Sequence, residues 1–239
     1  MSLTISYFVP PPALQAARES GRLDGLDIIE IRTTGSAAQL AGLLDGSLDA
    51  VVTAIDNLFE WTRAGAELRL VGQVEDTTPL SLVAGSRYES LRDLEGTRFA
   101  VDALTNGFAL VARTILRGIG VEVEWVEVGG VKERLDALLE GAVAATLLGP
   151  PFDQQALAAE QRLLVRVQDI YPVYPGQGLI LRSGVTESPE GGAFLAALRA
   201  SGLRSVDGPG LDLLTRIRRD LGALPADVEL HAFLADRPS

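Results

Sequence analysis

The feature that most constrains the fold is an internal repeat, because about the first 150 residues contain one pattern twice, at an offset of 95 residues. The segment 43–53 (LLDGSLDAVVT) has its counterpart at 138–148 (LLEGAVAATLL). The same offset pairs further positions: Ile31 with Val126 and Gly35 with Gly130. Repeated sequence indicates repeated structural units. We therefore predict two similar lobes with a cleft between them, and clefts are where small molecules bind.

Each copy alternates strand-like and helix-like segments. In the first copy the predicted strands are 4–9, 27–32 and 49–53, and the predicted helices are 13–20, 37–45 and 58–64. In the second copy the strands are 98–101, 122–128 and 143–148, and the helices are 108–117, 131–140 and a last one that reaches about residue 160. This alternation predicts parallel sheets with right-handed crossovers. Ligands bind such sheets beyond the carboxyl ends of the strands, near helix N-termini.

Two stretches outside the repeat, 68–86 and 163–182, are expected to contain the crossovers between the lobes. The tail, 187–239, contains two helical patterns and is expected to pack back on the first lobe. The predicted division is thus 1–83 plus 173–239 for lobe 1 and 84–172 for lobe 2. The fold class is α/β, with two Rossmann-like lobes joined by a two-strand hinge that closes when ligand binds.

Composition excludes several function classes. The formal net charge of −11 argues against nucleic acid as a partner. The chain has no cysteine, which excludes thiol nucleophiles and disulfides, and its only histidine is His231, so we expect neither a multi-histidine metal site nor a cofactor. No segment reaches the roughly 18 apolar residues of a membrane span. No signal peptide is visible, which predicts a cytoplasmic location as the chain is written, or a periplasmic one if a signal has been removed.

Four segments resemble a known family. Residues 91–101 (LRDLEGTRFAV) resemble the pattern SLxDLxGKxVAV that begins the second lobe of type II periplasmic binding proteins, and 43–50 resemble their LxxGxxDxA element. Residues 149–156 (GPPFDQQA) are similar to the xEPFxxQA segment of the branch that binds nitrate, sulfonates, taurine and thiamine pyrimidine precursors. The pair Asp56-Asn57 resembles a DN of the same branch. The matches cover about 4–182 and imply two lobes closing on a small ligand.

The chain departs from the family pattern at two positions. Ala144 stands where the second copy usually carries Asp, and Pro150 stands where the Glu before Pro-Phe is usual. Enzymes with this fold that depend on cysteine are excluded, whereas cofactor-free lyases and decarboxylases are not. The resemblance implies a solute-binding protein of an ABC transporter, with a permease as partner. The alternative is a lyase or decarboxylase that uses carboxylates such as Asp56 and Asp102. We favour this alternative less, because the chain has no cysteine and no histidine in the predicted cleft loops.

Five candidate ligand contacts follow strand ends of the predicted first lobe: Pro11, Thr34, Ser36, Asp56 and Asn57. Ser36 is also expected to cap the helix over 37–45, and Asp56 and Asn57 suit a helix cap as well as a ligand contact. Pro11 belongs to a proline run that provides either a rigid apolar wall or a stiff lead into a helix.

The second predicted lobe supplies four more candidates, Asp102, Thr105, Asn106 and Phe152, and the second crossover supplies a fifth, Tyr174. Free N–H groups at the start of the helix over 108–117 can bind an anion or a carbonyl oxygen, and a simple Asn-Gly turn is the alternative. Phe152 is equally suited to the core, and Tyr174 offers an aromatic ring with a polar tip near the second crossover.

The chemistry of these loops indicates the class of ligand. They mix Phe, Pro, Tyr, Thr and Asn and contain no cluster of Arg or Lys; Arg32 and Lys132 flank them as single charges. This favours a small, partly apolar ligand with a few hydrogen-bonding edges, such as a heteroaromatic compound or a carboxylic acid.

Overall fold

The computed structural model describes residues 2–224 and 230–235. These divide into two compact units. Unit 1 contains 2–77, 175–215 and 230–235, and unit 2 contains 78–174 and 216–224. The lobe boundaries predicted from the sequence differ from this division by several residues and in the assignment of 216–224, and they stay a prediction.

The described residues form strands and helices in the alternation that the repeat predicts. The strands are β1 (Leu3–Tyr7), β2 (Ile28–Arg32), β3 (Ala50–Thr53), β4 (Leu68–Gln73), β5 (Ser81–Ala84), β6 (Arg98–Val101), β7 (Glu124–Glu127), β8 (Ala145–Leu148), β9 (Arg162–Arg166) and β10 (Gly178–Arg182). The helices are α1 (Pro12–Glu19), α2 (Ser36–Asp45), α3 (Asn57–Arg63), α4 (Gly107–Gly118), α5 (Val131–Leu139), α6 (Phe152–Ala158), α7 (Val167–Ile170), α8 (Ser183–Thr186), α9 (Pro189–Arg199) and α10 (Gly208–Asp220). Short 3₁₀ turns span Leu91–Leu94 and Leu230–Phe233.

Unit 1 contains a five-stranded sheet in the order β2-β1-β3-β10-β4. Strands β1, β2 and β3 run parallel, and β10 runs antiparallel between β3 and β4. β1 and β3 are buried on both faces, which is why their sequences are almost continuously apolar. Helices α1 and α9 cover one face of this sheet, where Leu14 and Phe194 pack with Ile5 and Leu179 in one apolar cluster.

Unit 2 contains a second five-stranded sheet with the corresponding order, β7-β6-β8-β5-β9. Here β5 is the antiparallel strand, between β8 and β9. Its core includes Val83 and Ala100 of the sheet with Leu135 of α5 and Ala156 of α6. The prediction of an α/β fold with two separate sheets is therefore confirmed.

The inserted strands occupy equivalent places in the two sheets. Gly178 pairs with Thr53 and Ser81 pairs with Leu148, and these last residues of β3 and β8 are 95 positions apart. On the other side, the register shifts after the second residue of each inserted strand, at Leu179 in β10 and at Leu82 in β5. The internal repeat thus includes a matching irregularity, although the inserted strands lie outside the repeated sequence.

A half-buried ion pair joins β10 to the start of β3 in unit 1. Asp49 precedes β3, is 5% exposed, and accepts hydrogen bonds from the main-chain N–H of Thr4 (2.9 Å) and the Nη2 of Arg182 (2.6 Å). The carboxylate of Asp49 therefore connects β1 with β10, the two strands that flank β3. The equivalent position in unit 2 is Ala144. Unit 2 therefore lacks the carboxylate that joins two strands in unit 1.

Helix α9 begins in a tight turn that requires glycine. The hydroxyl of Ser188, its N-cap, accepts a hydrogen bond from the Gly191 N–H at 3.0 Å. A Cβ on Gly191 would lie 1.9 Å from the carbonyl oxygen of Val185, whereas a Cβ on the next residue, Gly192, would meet nothing within 4 Å. Both glycines lie near the start of α9, but only Gly191 lacks the space for a side chain.

We expect Gly191→Ala to lower the free energy of unfolding by about 1–3 kcal/mol, because the backbone of the turn must move to admit the methyl group. Gly192→Ala is the matched control and should raise it by roughly 0.5–1 kcal/mol, since alanine is the better helix former. Urea denaturation of the three proteins measures both changes. Equal stabilities for the two variants would show that the turn is not sterically restricted.

Candidate functional site

The five residues predicted as ligand contacts in the first lobe lie at one edge of the unit 1 sheet. Each lies where a parallel strand leads into a helix. Pro11, Thr34 and Asp56 lie in the connections β1–α1, β2–α2 and β3–α3, and Ser36 and Asn57 are the first residues of α2 and α3. Because β1 lies between β2 and β3, the three strand ends are neighbours. The structure therefore brings these five residues to a common edge, where the helix N-termini also lie.

Most of these five candidate residues are buried, although a residue that only contacts ligand would be open to solvent before the ligand binds. Thr34 is exposed, whereas Pro11, Ser36, Asp56 and Asn57 are buried. Asn57 donates its side-chain N–H to the hydroxyl of Thr53 at 2.9 Å, so part of its hydrogen-bonding capacity serves the end of β3.

Two predicted helix caps are corrected. Ser36 is the first residue of α2, and Gly35 occupies the cap position, where its extended backbone enters the helix. Asp56 occupies the cap position of α3 with a helical backbone, and its side chain makes no capping hydrogen bond to the described residues. In both places the helix begins one residue earlier than predicted, because the chain turns directly from the strand end into the helix.

Tyr7 adds an ionisable group at the carboxyl end of β1. Its hydroxyl donates a hydrogen bond to the carboxylate of Glu30, which also pairs with Arg18. Burial raises the pKa of Tyr7 to about 12, and the hydrogen bond and the negative charge of Glu30 act in the same direction. The phenol therefore stays protonated, and a hydrogen-bond donor, over the physiological range.

The corresponding edge of unit 2 carries Asp102, Thr105 and Asn106 between β6 and α4. Asn106 caps α4, since its Oδ1 accepts a hydrogen bond from the Phe108 N–H at 2.9 Å. Its Nδ2 lies 3.3 Å from a carboxylate oxygen of Asp102. Thr105 is exposed, and its carbonyl oxygen accepts a hydrogen bond from Arg218 at 2.9 Å. The turn before the cap closes between the Asn106 N–H and the Ala103 carbonyl oxygen, and Gly107 is the first residue of α4, so Asn106 forms a cap and not an Asn-Gly turn.

The two aromatic candidates of unit 2 are both shielded from solvent, to different degrees. Phe152, the first residue of α6, is half-buried and packs against the apolar cluster of this unit. Tyr174 is 2% exposed. Nearby, burial raises the pKa of Tyr171. A ligand contact for Phe152 or Tyr174 stays a prediction, and Phe152 also contributes to the core of the unit.

Two buried polar residues that the sequence analysis did not select also lie at these edges. Gln39 of α2 is fully buried and donates to the carbonyl oxygens of Ser6 (3.2 Å) and Val52 (3.1 Å). Arg134 of α5 is 6% exposed and donates to the carbonyl oxygens of Gly130 (3.3 Å) and Leu147 (2.7 Å).

These two residues went unselected because each lies inside a helix and not in a loop after a strand. The signal that could have found them is the repeat itself, because Gln39 and Arg134 are 95 positions apart and interrupt equivalent apolar helix faces. Burial lowers the pKa of Arg134 to about 10, opposed by the nearby charges of Asp102 and Glu133. Arg134 therefore remains a cation at neutral pH.

Within 2–224 and 230–235, no group of three or more His, Cys, Asp or Glu side chains is arranged to hold a metal ion. Over the same residues, no helix combines the length and apolar character needed to cross a bilayer.

Comparison with known proteins identifies the fold. No family model matches the sequence, and no curated protein is significantly similar to it. Among solved structures, the ligand-binding component of an ABC-type import system from Staphylococcus aureus, with zinc bound, superposes with a TM-score of 0.80 at 12% identity, over 99% of this chain and 96% of that one.

Two further structures agree. The alkanesulfonate-binding protein SsuA from Xanthomonas axonopodis pv. citri, bound to MOPS, is 20% identical with a TM-score of 0.71, over 99% of this chain and 84% of that one. A Candida albicans protein described as having the generic periplasmic binding protein fold is 14% identical with a TM-score of 0.67, over 92% of this chain and 74% of that one. The periplasmic-binding-protein fold implied by the sequence resemblance is thus confirmed.

The cap of α4 yields a prediction about stability. Asn106→Ala should lower the free energy of unfolding by about 1 kcal/mol, because the Phe108 N–H loses its acceptor. Asn106→Ser should keep most of that stability, since serine caps helices well. Thr105→Ala, an exposed change beside it, should stay within about 0.5 kcal/mol of the parent protein. If Asn106→Ala and Asn106→Ser are equally stable in chemical denaturation, the cap is not what Asn106 contributes.

The environment of Tyr7 yields a prediction about alkaline pH. A tyrosine in an unfolded chain ionises near pH 10, whereas Tyr7 in the folded protein ionises near pH 12. The unfolded state therefore releases this proton first, so the stability that Tyr7 contributes is complete below pH 10 and is lost as the pH rises through 12.

Ultraviolet absorbance of tyrosinate checks this. The difference between the titrations of the parent protein and Tyr7→Phe should show one tyrosine with a midpoint near pH 12. A difference curve with its midpoint near pH 10 would contradict the assignment.

Proposed function

We propose that this chain is the solute-binding component of an ABC-type import system. The observation that carries the proposal is the shared edge architecture of the two sheets. In each unit, three parallel strands end side by side and each is followed by a helix. Ser, Thr or Asn side chains lie in or directly after some of these connections: Thr34, Ser36 and Asn57 in unit 1, and Thr105 and Asn106 in unit 2. Solutes bind such sheets beyond the carboxyl ends of the strands.

The structural neighbours support this proposal at the level of the fold. The Staphylococcus aureus neighbour is a ligand-binding component of an import system, and the Xanthomonas neighbour binds alkanesulfonates. Because one fold supports many functions, the likeness by itself assigns no ligand to this chain. The partner that the proposal implies is the permease of an ABC transporter.

The proposed ligand contacts form two sets. In unit 1 they are Pro11, Thr34, Ser36, Asp56 and Asn57, and in unit 2 they are Asp102, Thr105, Asn106, Phe152 and Tyr174. Of the hydroxyl-bearing members, Thr34 and Thr105 have exposed side chains and are available without rearrangement. The ligand is proposed to be small and partly apolar, with a few hydrogen-bonding edges.

The experiment is a thermal-shift screen of the full chain with three ligand classes: short-chain carboxylic acids, alkanesulfonates and heteroaromatic compounds. A compound that binds the folded state raises the melting temperature. For a compound found in this way, Asn57→Ala and Asn106→Ser should each weaken binding by about 1–3 kcal/mol, the effect of removing one buried hydrogen bond.

Asn106→Ser separates ligand binding from folding, because serine keeps the helix cap but lacks the amide. Leu157→Ala, an exposed change on the outer part of α6, is the control and should leave affinity unchanged. The proposal fails if no compound of the three classes binds. It also fails if the bound compound is recovered chemically altered, which would favour the lyase alternative over a binding protein.

A further inference from the structure

Strand β2 is an uncovered edge of the unit 1 sheet. Among the described residues it pairs with β1 alone, and it lies at the end of the strand order. The opposite edge strand, β4, has further main-chain partners, because Gln73 forms a bridge to Arg204 and Leu70 forms one to Leu234. An uncovered edge presents a row of main-chain N–H and C=O groups that can pair with another strand.

The hydrogen bonds between β1 and β2 show which main-chain groups of β2 face outward. Leu3 donates its N–H to the carbonyl oxygen of Asp27, and Thr33 donates its N–H to the carbonyl oxygen of Tyr7. Because a parallel ladder engages every second residue of a strand, the odd-numbered residues of β2 direct their main-chain groups toward β1. The N–H and C=O groups of the even-numbered residues therefore point away from the sheet.

The side chains of this edge are apolar although they are exposed. Ile29 is 46% exposed and Ile31 is 43% exposed. They pair with Thr4 and Ser6 of β1, so they lie on the face opposite the α1 and α9 core. Helix α2 lies on this same face, since the right-handed crossover from β2 to β3 runs in the direction opposite to that from β1 to β2. The exposed Leu44 of α2 adds to the apolar surface there.

The repeat shows that the fold does not require an apolar edge. The equivalent strand of unit 2, β7, has Glu124 at the position of Ile29 and Glu127 at the position of Arg32. Charged side chains on an edge strand oppose its pairing with a second copy of the same strand. Unit 1 lacks this protection.

The helices that follow the two edge strands differ in the same way. In α5, Lys132 and Asp136 form an ion pair on the surface. Helix α2 has Ala37 and Ala41 at the equivalent positions, and the segment 36–44 contains no charged residue. This face of unit 1 is therefore apolar where the corresponding face of unit 2 carries charges. Exposed apolar surface of this kind is typical of an interaction site.

We propose that two copies of this chain associate through β2, which pairs with β2 of the second copy in an antiparallel ladder whose two-fold axis passes at Ile31. In this register Glu30 lies opposite Arg32 of the second copy, and the symmetric pair is equivalent. Both residues are even-numbered, so their outward main-chain groups form the hydrogen-bonded pairs of the ladder. The two five-stranded sheets of unit 1 then become continuous.

Charge complementarity selects this register. An axis at Glu30 would place two glutamates opposite each other, which is unfavourable, whereas an axis at Ile31 gives two pairs of opposite charge. On the other face, Ile31 meets its counterpart in a non-hydrogen-bonded pair, where side chains approach most closely, with Ile29 of each copy beside it. Because each chain has a formal net charge of −11, an interface without net negative charge also keeps repulsion between the copies low.

Sedimentation equilibrium of the full chain measures this association. The parent protein should form a dimer whose proportion rises with concentration. Ile31→Lys places two ammonium groups opposite each other at the axis and should weaken dimerisation roughly tenfold or more. Leu157→Lys makes the same change in charge at an exposed apolar position of α6, and it should dimerise as the parent protein does.

Two cysteine variants test the register, because the chain has no cysteine of its own. Ile31→Cys places two thiols opposite each other at the axis, at a separation that a disulfide can span. Ile29→Cys is the matched control, since it is similarly exposed on the same face of β2 but lies opposite Thr33 of the second copy. With oxidised glutathione, Ile31→Cys should become a covalent dimer and Ile29→Cys should not, as non-reducing electrophoresis measures.

Three results would overturn the inference. The first is a parent protein that sediments as a monomer at every concentration. The second is a dimer that is as stable in Ile31→Lys as in Leu157→Lys; should Ile31→Lys not fold, the two cysteine variants decide. The third is a covalent dimer of Ile29→Cys in preference to Ile31→Cys, or of neither variant. None of these outcomes depends on which solute the chain binds, so the proposed import function stands or fails separately.

Discussion

The insertion of one antiparallel strand beside three parallel ones is the constraint on which each sheet depends. In unit 1, β10 is the only strand among the described residues that pairs with β4, so β4 joins the sheet through it. Asp49 supports this arrangement by accepting hydrogen bonds from Thr4 of β1 and Arg182 of β10. The three parallel strands pair directly with one another and end at a common edge, where the loops that follow them are neighbours.

The two units show how a duplicated framework comes to carry different chemistry. Strand order, helix positions and even the register shifts of the inserted strands correspond. The side chains at equivalent positions do not: Asp49 has Ala144 as its counterpart, and Gln39 has Arg134. Side chains of different charge therefore occupy equivalent positions of one framework.

Much of the architecture could be predicted from the sequence. The limits of β6 agree with the prediction to the residue, because β6 is a short, mainly apolar run bounded by polar residues. The four-residue helices α7 and α8 were not predicted, since a single turn has no periodicity to detect. The cap predicted at Ser36 was wrong by one residue, because backbone geometry at the strand end decides where the first helical turn begins.

The sequence by itself determined the duplicated α/β plan, through apolar periodicities that recur at one offset and need no knowledge of long-range contacts. It also determined which loops follow strand ends, and so which side chains were candidates. Only the tertiary structure decided which of those are buried, and that Asn57 and Asn106 serve local hydrogen bonds. The burial of Arg134 was likewise decided there, because burial depends on what packs around a side chain, and an arginine in a helix is ordinarily solvent-exposed.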